Sequence, residues 1–423
     1  MTRVAPPERR DEVARVAGGL RAAGAAPGSV VTWQSPNRPE IDTLYRACWR
    51  LGAVAAPLHH QLGATERAAL ITALGSPLEV ELDDLPRNDP VDETWRDPAQ
   101  LAAVLFTSGS SGAPKGVLHT QATLAYKAVQ MADVHECTAR DCVLMPAPAA
   151  HISGLLNGIT LPGVVPFRTV FMARWDPERA LELIEREGVT FMVGPPTFFI
   201  SMMQAPGFSP HRVASMRLIS SGGAGVSEEF VRDASAAFGA QVKRTYGSTE
   251  TPTIITDGRP IGDVELRIDA AGELCVRGPE VCVGYLDATD TAVAFDEEGW
   301  FHTGDLAAVD AEGRYEIVGR LKELIIRGGE NISATEVEAV LEAHPSVQHA
   351  VAIGEPDELM GERVCAFVVA DATFDLATCR SWFEERGIAR YKTPERIVLV
   401  NELPLLSSGK PDRQALRARV LRP

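Results

Sequence analysis

Two hydrophobic periods alternate along the first hundred residues. Over 12–23, Val13, Val16, Ala17 and Leu20 recur every three or four positions, the repeat of one helix face, and Gly24 supplies a stop. The run 30–33 reads as a short strand, 41–51 as a helix ending at Gly52, and 53–58 as a second strand. Helices alternating with short apolar strands predict an α/β sheet. The stretch 83–98 breaks the pattern: it is acidic, holds Pro86, Pro90 and Pro98, has no period, and reads as a surface connection. Toward the C-terminus the pattern changes character. A helix over 335–342, paired strands over 347–353 and 363–369, a helix over 376–386 and a last strand over 397–400 predict a small α+β domain of about a hundred residues.

Composition narrows the class. The chain has 423 residues, 45% of them hydrophobic, and a formal charge of −16. That length favours two or more domains, and the apolar content excludes wholesale disorder. A net acidic chain gives no support to nucleic-acid binding, which draws on clustered Lys and Arg. The longest nearly apolar stretch, 155–167, is too short to span a bilayer and is interrupted by Gly158, Pro162, Gly163 and Pro166. Residues 1–28 lack the apolar core of a signal peptide, so a cytoplasmic location is expected. Seven cysteines form no C-x-x-C pair; buried thiols in a reducing compartment fit better than a zinc site or a disulfide framework.

The apolar run 101–106 ends abruptly in Thr107, Ser108, Gly109, Ser110, Ser111 and Gly112, followed by Ala113-Pro114-Lys115-Gly116. A strand emptying into a Gly/Ser/Thr loop with one Lys suits a phosphate cradle. Glycines let backbone N–H groups turn toward an anion, hydroxyls add donors, and the Lys adds charge. It is not a Walker A loop, because Lys115 follows Pro114 and precedes Gly116; the only Gly-Lys pair, Gly409-Lys410, is followed by Pro411.

At this loop the sequence resembles the adenylate-forming superfamily of acyl-CoA synthetases, luciferases and adenylation domains. Further segments follow in that family's order: 148–154 with His151, 220–224, the run Tyr246-Gly247-Ser248-Thr249-Glu250, 272–274, 299–305, 319–322, 328–332 and 404–413. The resemblance implies a fold of layered α/β subdomains in a large domain over 1–319, a hinge at 320–322 centred on Lys322, and a small mobile α+β domain over 323–423. It implies ATP, Mg²⁺ and CoA as cofactor and co-substrates. Residues Thr107 to Gly112 and Lys115 would then bind phosphate, Gly222, Gly223, Ala224, Tyr246 and Gly247 would border the nucleotide, and Asp305 would accept from the ribose hydroxyls. Arg320 would donate to that ribose from the far side.

The same resemblance places Lys410, Glu250, Thr249 and His151 in catalytic positions, with Glu250 as the Mg²⁺ ligand. Gly328, Gly329 and Glu330 fall on the CoA channel, and His151, Ile152, Leu155, Thr197, Phe198 and Tyr246 on the acyl pocket. Chemically the set is coherent. A carboxylate is a poor electrophile until AMP is attached as a leaving group, and displacement at the α-phosphate needs cations around the phosphorus oxygens.

The expected activity is therefore acyl-CoA ligation of an apolar monocarboxylic acid, since the acyl-pocket candidates include no Arg or Lys for a second carboxylate. The alternatives are transfer of the acyl group to a carrier-protein phosphopantetheine and a non-catalytic acyl- or nucleotide-binding homologue. For this architecture the chain is short, with compression expected before Leu101 and between Glu250 and Gly272; a homodimer contact is one way to cover what a shortened N-terminal part exposes. No nucleic-acid partner and no transmembrane segment are expected.

Overall fold

The computed structural model describes residues 6–92, 94–95, 97–107, 114–223, 225–328, 330–371, 373–405 and 411–420. The chain divides into two compact units, one of Met1–Leu266 with Val276–Phe301, the other of Arg267–Cys275 with His302–Pro423. By this division His302 to Gly319 group with the smaller unit, so the boundary falls ahead of the 320–322 segment.

In the first unit, a six-stranded sheet runs in the order Gly284–Tyr285, Lys115–Thr120, Leu101–Thr107, Val54–Leu58, Val30–Gln34, Leu78–Glu79. The Val30, Val54, Leu78 and Leu101 strands are parallel, and the two strands at the other edge are antiparallel. A seven-stranded sheet follows, with five parallel strands at Gln241–Tyr246, Leu218–Gly222, Phe191–Gly194, Cys142–Met145 and Arg168–Phe171. Two of its inner strands, Phe191–Gly194 and Cys142–Met145, are nearly continuous apolar runs, as burial on both faces requires, whereas Gln241–Tyr246 is largely polar and only partly buried.

Helix ends follow local chemistry. The helix Pro39–Leu51 starts on a proline and buries Ile41, Leu44, Tyr45, Cys48 and Leu51. It stops where Gly52 turns left-handed at φ 70° and returns its N–H to the last turn, a conformation that costs an L side chain strain. The helix Pro177–Glu187 is capped by Asp176, whose side chain accepts from Arg179 N.

The 83–98 stretch is more than a surface connection. Leu85 and Val91 are buried in the core of the six-stranded layer, and the N–H groups of Asn88 and Val91 donate to the carbonyls of Arg15 and Ala14 on the helix Pro6–Ala22. A Cβ on Gly18 would lie 1.9 Å from the Asp89 carbonyl oxygen, and one on Gly19 would lie 2.2 Å from Pro86. The segment lacks a period because backbone hydrogen bonds and close approach at two helix glycines, with only the isolated anchors Leu85 and Val91, hold it in place.

The second unit carries an antiparallel layer in which Phe301–Val309 pairs with Tyr315–Arg320. Beyond it lies a five-stranded sheet built on the long hairpin Val347–Asp357/Gly361–Ala370, flanked by Leu324–Arg327, Glu330–Ser333 and Arg396–Leu399. The helices Ala334–Glu342 and Leu376–Glu385 bury Val337, Leu341, Cys379 and Phe383 against it. This matches the α+β pattern expected from the sequence.

Candidate active site

Residues 246–250 leave the C-terminal end of the Gln241–Tyr246 strand, beside the end of the neighbouring parallel strand at Gly222. Crevices at the carboxyl ends of parallel strands are where open α/β sheets place ligands. Side chains are excluded there. A Cβ on Gly222 would sit 2.3 Å from the Thr245 carbonyl oxygen, and one on Gly247 would sit 2.2 Å from Thr253 N. The loop then folds on itself: Ser248 Oγ accepts from the N–H groups of both Glu250 and Thr251.

Glu250 is held at both ends. Its carbonyl accepts from Cys282 N at 2.8 Å, and its Oε1 accepts from the Tyr285 hydroxyl at 2.9 Å. Burial and the facing Glu250 carboxylate push the Tyr285 phenol well above its ordinary range, so it remains a donor. Lys115 Nζ lies 5.2 Å from the centroid of the Tyr285 ring and pairs with Asp290 at 2.6 Å. Thr107 and Lys115 are cross-strand partners on the antiparallel strands Leu101–Thr107 and Lys115–Thr120. Ser108, Gly109, Ser110, Ser111 and Gly112 lie outside the described residues, as do Ala224, Gly329 and Lys410.

His151 precedes the short helix Ile152–Leu155, its ring centroid 5.2 Å from that of His59, which in turn lies 4.6 Å from His60. Desolvation, then the neighbouring rings, lowers His59 to about 4, so it is neutral at physiological pH. The loop before His151 is fixed by Asn37, which donates to the carbonyls of Met145 and Ala147 and accepts from Ala149 N, and by the Tyr45 hydroxyl on Ala149 O. Leu155 is fully buried in the apolar core with Ile152 packed against it. Thr197 is exposed, and Phe198 stacks on Trp175 with ring centroids 4.3 Å apart.

The proline at 162 does not end this helix. One turn of π-helix, Leu156–Thr160, leads into Leu161–Val164. Pro162 has no N–H for the carbonyl of Gly158, and that carbonyl accepts from Thr169 Oγ1 instead; the Ile159 carbonyl takes Arg46.

In the second unit Asp305 and Arg320 are directly opposed on neighbouring strands, with Arg320 Nε 2.8 Å from Asp305 Oδ1. Asp305 is nearly buried, and Arg320 is exposed. Antiparallel register puts both side chains on the same face, where they form a direct ion pair. Just before Asp305, Glu273 accepts from Gly304 N at 2.7 Å and meets His302 Nδ1 at 2.8 Å. Asp269, Glu273, Cys275 and His302 bring one ligand atom each within 4.8 Å of one another. Their atoms are already committed: Asp269 Oδ1 accepts from Ala271 N and Glu273 N, and the two Glu273 oxygens serve Gly304 and His302. The cluster is a hydrogen-bonded bracket for the strand that presents Asp305.

Lys322 lies in the single turn Leu321–Glu323, Gly328 is left-handed at φ 58° against Met360, and Glu330 opens the strand Glu330–Ser333. Leu405 and Pro411 form an antiparallel bridge on either side of the segment that contains Lys410. A cleft of about 500 Å³ lined by Ala23, Gly24, Val30 and Leu74 includes none of the candidate catalytic or binding residues.

Sequence reading missed His119 and Lys127. His119 is buried, and its Nε2 donates to the Thr249 carbonyl at 2.7 Å while Nδ1 lies 3.2 Å from Thr123 Oγ1. Lys127 is buried beside Glu280. One signal was available: His119, Thr123, Lys127 and Gln130 are polar at spacings of about one helical turn.

Residues 7–85 and 75–286 match the AMP-binding enzyme family, and residues 336–410 match the AMP-binding enzyme C-terminal domain. The chain belongs to the AMP-binding enzyme family. It is 31% identical to the medium-chain fatty-acid–CoA ligase of Escherichia coli (strain K12), with 95% of this chain and 83% of that protein covered. It is 32% identical to the indoleacetate–CoA ligase of Aromatoleum aromaticum (strain DSM 19018 / LMG 30748 / EbN1), covering 97% and 92%. Among solved structures, ATP-bound MatB from Rhodopseudomonas palustris matches at a TM-score of 0.88 and 28% identity over 97% of this chain and 92% of that one. The first alignment runs over 477 positions, more than the 423 residues here, so that relative carries internal residues that this chain omits.

Proposed function

We propose that the protein is an ATP-dependent acyl-CoA ligase that converts an apolar monocarboxylic acid to its acyl-adenylate with release of pyrophosphate, then to the CoA thioester with release of AMP. The observation that carries this reading is Glu250. It is a carboxylate fixed by Tyr285 at one oxygen, in the loop that leaves the carboxyl end of a parallel strand through Gly247, where no side chain fits. The other oxygen is a hard donor suited to Mg²⁺, and relatives across nearly the full chain are CoA ligases. When bound, Mg²⁺ neutralises charge on the nucleotide phosphates.

The residues then divide the work. Gly222, Gly223, Tyr246 and Gly247 give the nucleotide close backbone approach, and Thr107, the 108–112 loop and Lys115 receive its phosphates. Lys115 exchanges Asp290 for phosphate when ATP enters. Asp305, an acceptor-only side chain when ionised, holds ribose hydroxyls, and Arg320 already lies within reach of the same group. Lys410 supplies the cation of the adenylation step. A pivot at Lys322 then replaces it with the Gly328-Gly329-Glu330 segment for attack by the CoA thiol. His151 with Ile152, Thr197, Phe198 and Tyr246 borders the acyl group. A reducing, cytosolic setting is supported by seven free cysteines, six of them buried.

Labelled pyrophosphate exchange into ATP over a panel of fatty, arylacetic, alicyclic and dicarboxylic acids tests adenylation. Thioester formation with the best acid tests the second half. An apolar monocarboxylic acid should lead the panel, and CoA should accelerate AMP release. Release that ignores CoA but responds to a phosphopantetheinylated carrier would transfer the reading to a carrier-loading ligase.

A further inference from the structure

A row of side chains along the helix Gln121–Val134 and the strand before it reaches across to one stretch of backbone. His119 Nε2 donates to the Thr249 carbonyl, Lys127 Nζ to the Thr253 carbonyl at 2.8 Å, and Gln130 Nε2 to the Ile261 carbonyl at 3.0 Å. The Tyr126 hydroxyl donates to Asp263 at 2.8 Å. Three of these are carbonyls of irregular backbone with no strand partner, and Thr253 is left-handed at φ 41°. Such a segment has little secondary structure of its own to hold it.

Lys127 is the unusual member. Its side chain is 1% exposed and that of Glu280 is 0% exposed. Nζ has three N–H donors and finds three acceptors: the Thr253 carbonyl, Gln130 Oε1 and Glu280 Oε1 at 3.3 Å. Desolvation lowers its pKa to about 8, which leaves it mostly charged at neutral pH. A buried ion pair costs desolvation that a hydrophobic pair of similar volume would avoid, so its retention asks for a use other than stability. The connectivity supplies one. Glu280 lies two residues before Cys282, whose N–H holds the Glu250 carbonyl, and five before Tyr285, whose hydroxyl holds the Glu250 carboxylate. Thr253 lies three residues after Glu250. One ammonium therefore ties together the two chain segments that fix Glu250 from either side.

We propose that Lys127, with Glu280 as its counter-ion and His119 as a second anchor at Thr249, is a positioning residue that sets the Glu250 carboxylate for MgATP. This rests on Glu250 facing MgATP, as in the proposed function. It goes beyond that reading by assigning a role to a side chain that touches no substrate.

The test compares wild type with the double variant Lys127→Met/Glu280→Leu, which removes both charges together and leaves no buried ion unpaired. His119→Phe, which loses the donor, is set beside His119→Asn, which keeps one. Folding is read by thermal melting, MgATP binding by calorimetry without any acid, and the KM for MgATP and kcat by pyrophosphate exchange. We expect folded double and His119→Phe variants whose MgATP affinity falls roughly tenfold and whose KM for MgATP rises to match, with the KM for the acid unchanged and partial recovery in His119→Asn. Wild-type affinity in a folded double variant, or equal losses toward acid and MgATP, would overturn the proposal. If the double variant fails to fold, the His119 pair decides on the same criteria. Wild-type protein that binds MgATP but exchanges with no acid counts against the ligase reading alone, because the binding comparison still judges the positioning role.

Discussion

Glu250 shows how little of a reactive group is settled by its own identity. The carboxylate is ordinary in sequence, yet its carbonyl, its carboxyl and the carbonyl before it are each held by a residue from elsewhere in the chain: Cys282, Tyr285 and His119. A hydrogen bond to a charged acceptor contributes about 1.5–3 kcal/mol. Tyr285→Phe should therefore raise the KM for MgATP roughly tenfold, with little loss of stability, because the ring and its packing remain. Steady-state exchange kinetics at varied MgATP check this, and an unchanged KM would remove Glu250 from the nucleotide site. A second prediction concerns Asp305. Asp305→Asn keeps size but loses the ionised acceptor and the Arg320 pair; nucleotide affinity should fall about tenfold or more, as calorimetry with AMP would show.

At the scale of elements, what was legible depended on whether a side-chain face held the element. The helices Pro39–Leu51 and Ala334–Glu342 and the hairpin Val347–Asp357/Gly361–Ala370 were readable because their buried positions repeat with the period of their own backbone. The 83–98 segment was not, since what fixes it is backbone hydrogen bonding to the helix Pro6–Ala22 and close approach at two of its glycines, with two isolated apolar anchors in place of a repeating face. The π-turn at Leu156–Thr160 was hidden for a related reason. Pro162 reads as a break until Thr169, seven residues away, is seen to receive the orphaned carbonyl. The candidate site was legible as motifs, while its supports, His119 and Lys127, were not, because a row of polar residues at helical spacing gives no sign of which carbonyls it will meet. Gly52 offers a test at this scale. Its φ of 70° and the Trp95 ring, 2.7 Å from where a Cβ would stand, make Gly52→Ala unfavourable on two counts. The expected loss is about 1–3 kcal/mol, read as a lower urea midpoint with an unchanged slope; an unshifted midpoint would mean that the helix end tolerates an L side chain there.

For the whole molecule, the net charge of −16 sets the problem that its local charges must solve. ATP and CoA are polyanions, and two cations assigned to the nucleotide, Lys115 and Arg320, are already paired with Asp290 and Asp305. Binding is then an exchange of partners at particular residues rather than attraction by a general field. The same burial that shapes these sites governs the pH range of the fold. Burial pushes the thiols of Cys137, Cys142 and Cys365 up to about 11 and those of Cys282 and Cys379 to about 12, and raises Cys48 further. An unfolded thiol ionises near 8.5. Between that value and 11–12 the folded chain therefore holds protons that the unfolded chain has released, so stability is fully present below about 8.5 and falls as pH rises. Lys127 acts in the opposite sense, since a folded value near 8 means that it gives up its proton before the unfolded chain does. Six thiols against one ammonium decide the sign. Denaturant unfolding under reducing conditions should show the midpoint dropping steadily from pH 8.5 to 10.5, and replacing Cys282 and Cys379 with Ala or Val should make that slope shallower even if the absolute stability falls. A midpoint that stays flat over this range would mean that these thiols are not protected from ionising in the folded chain.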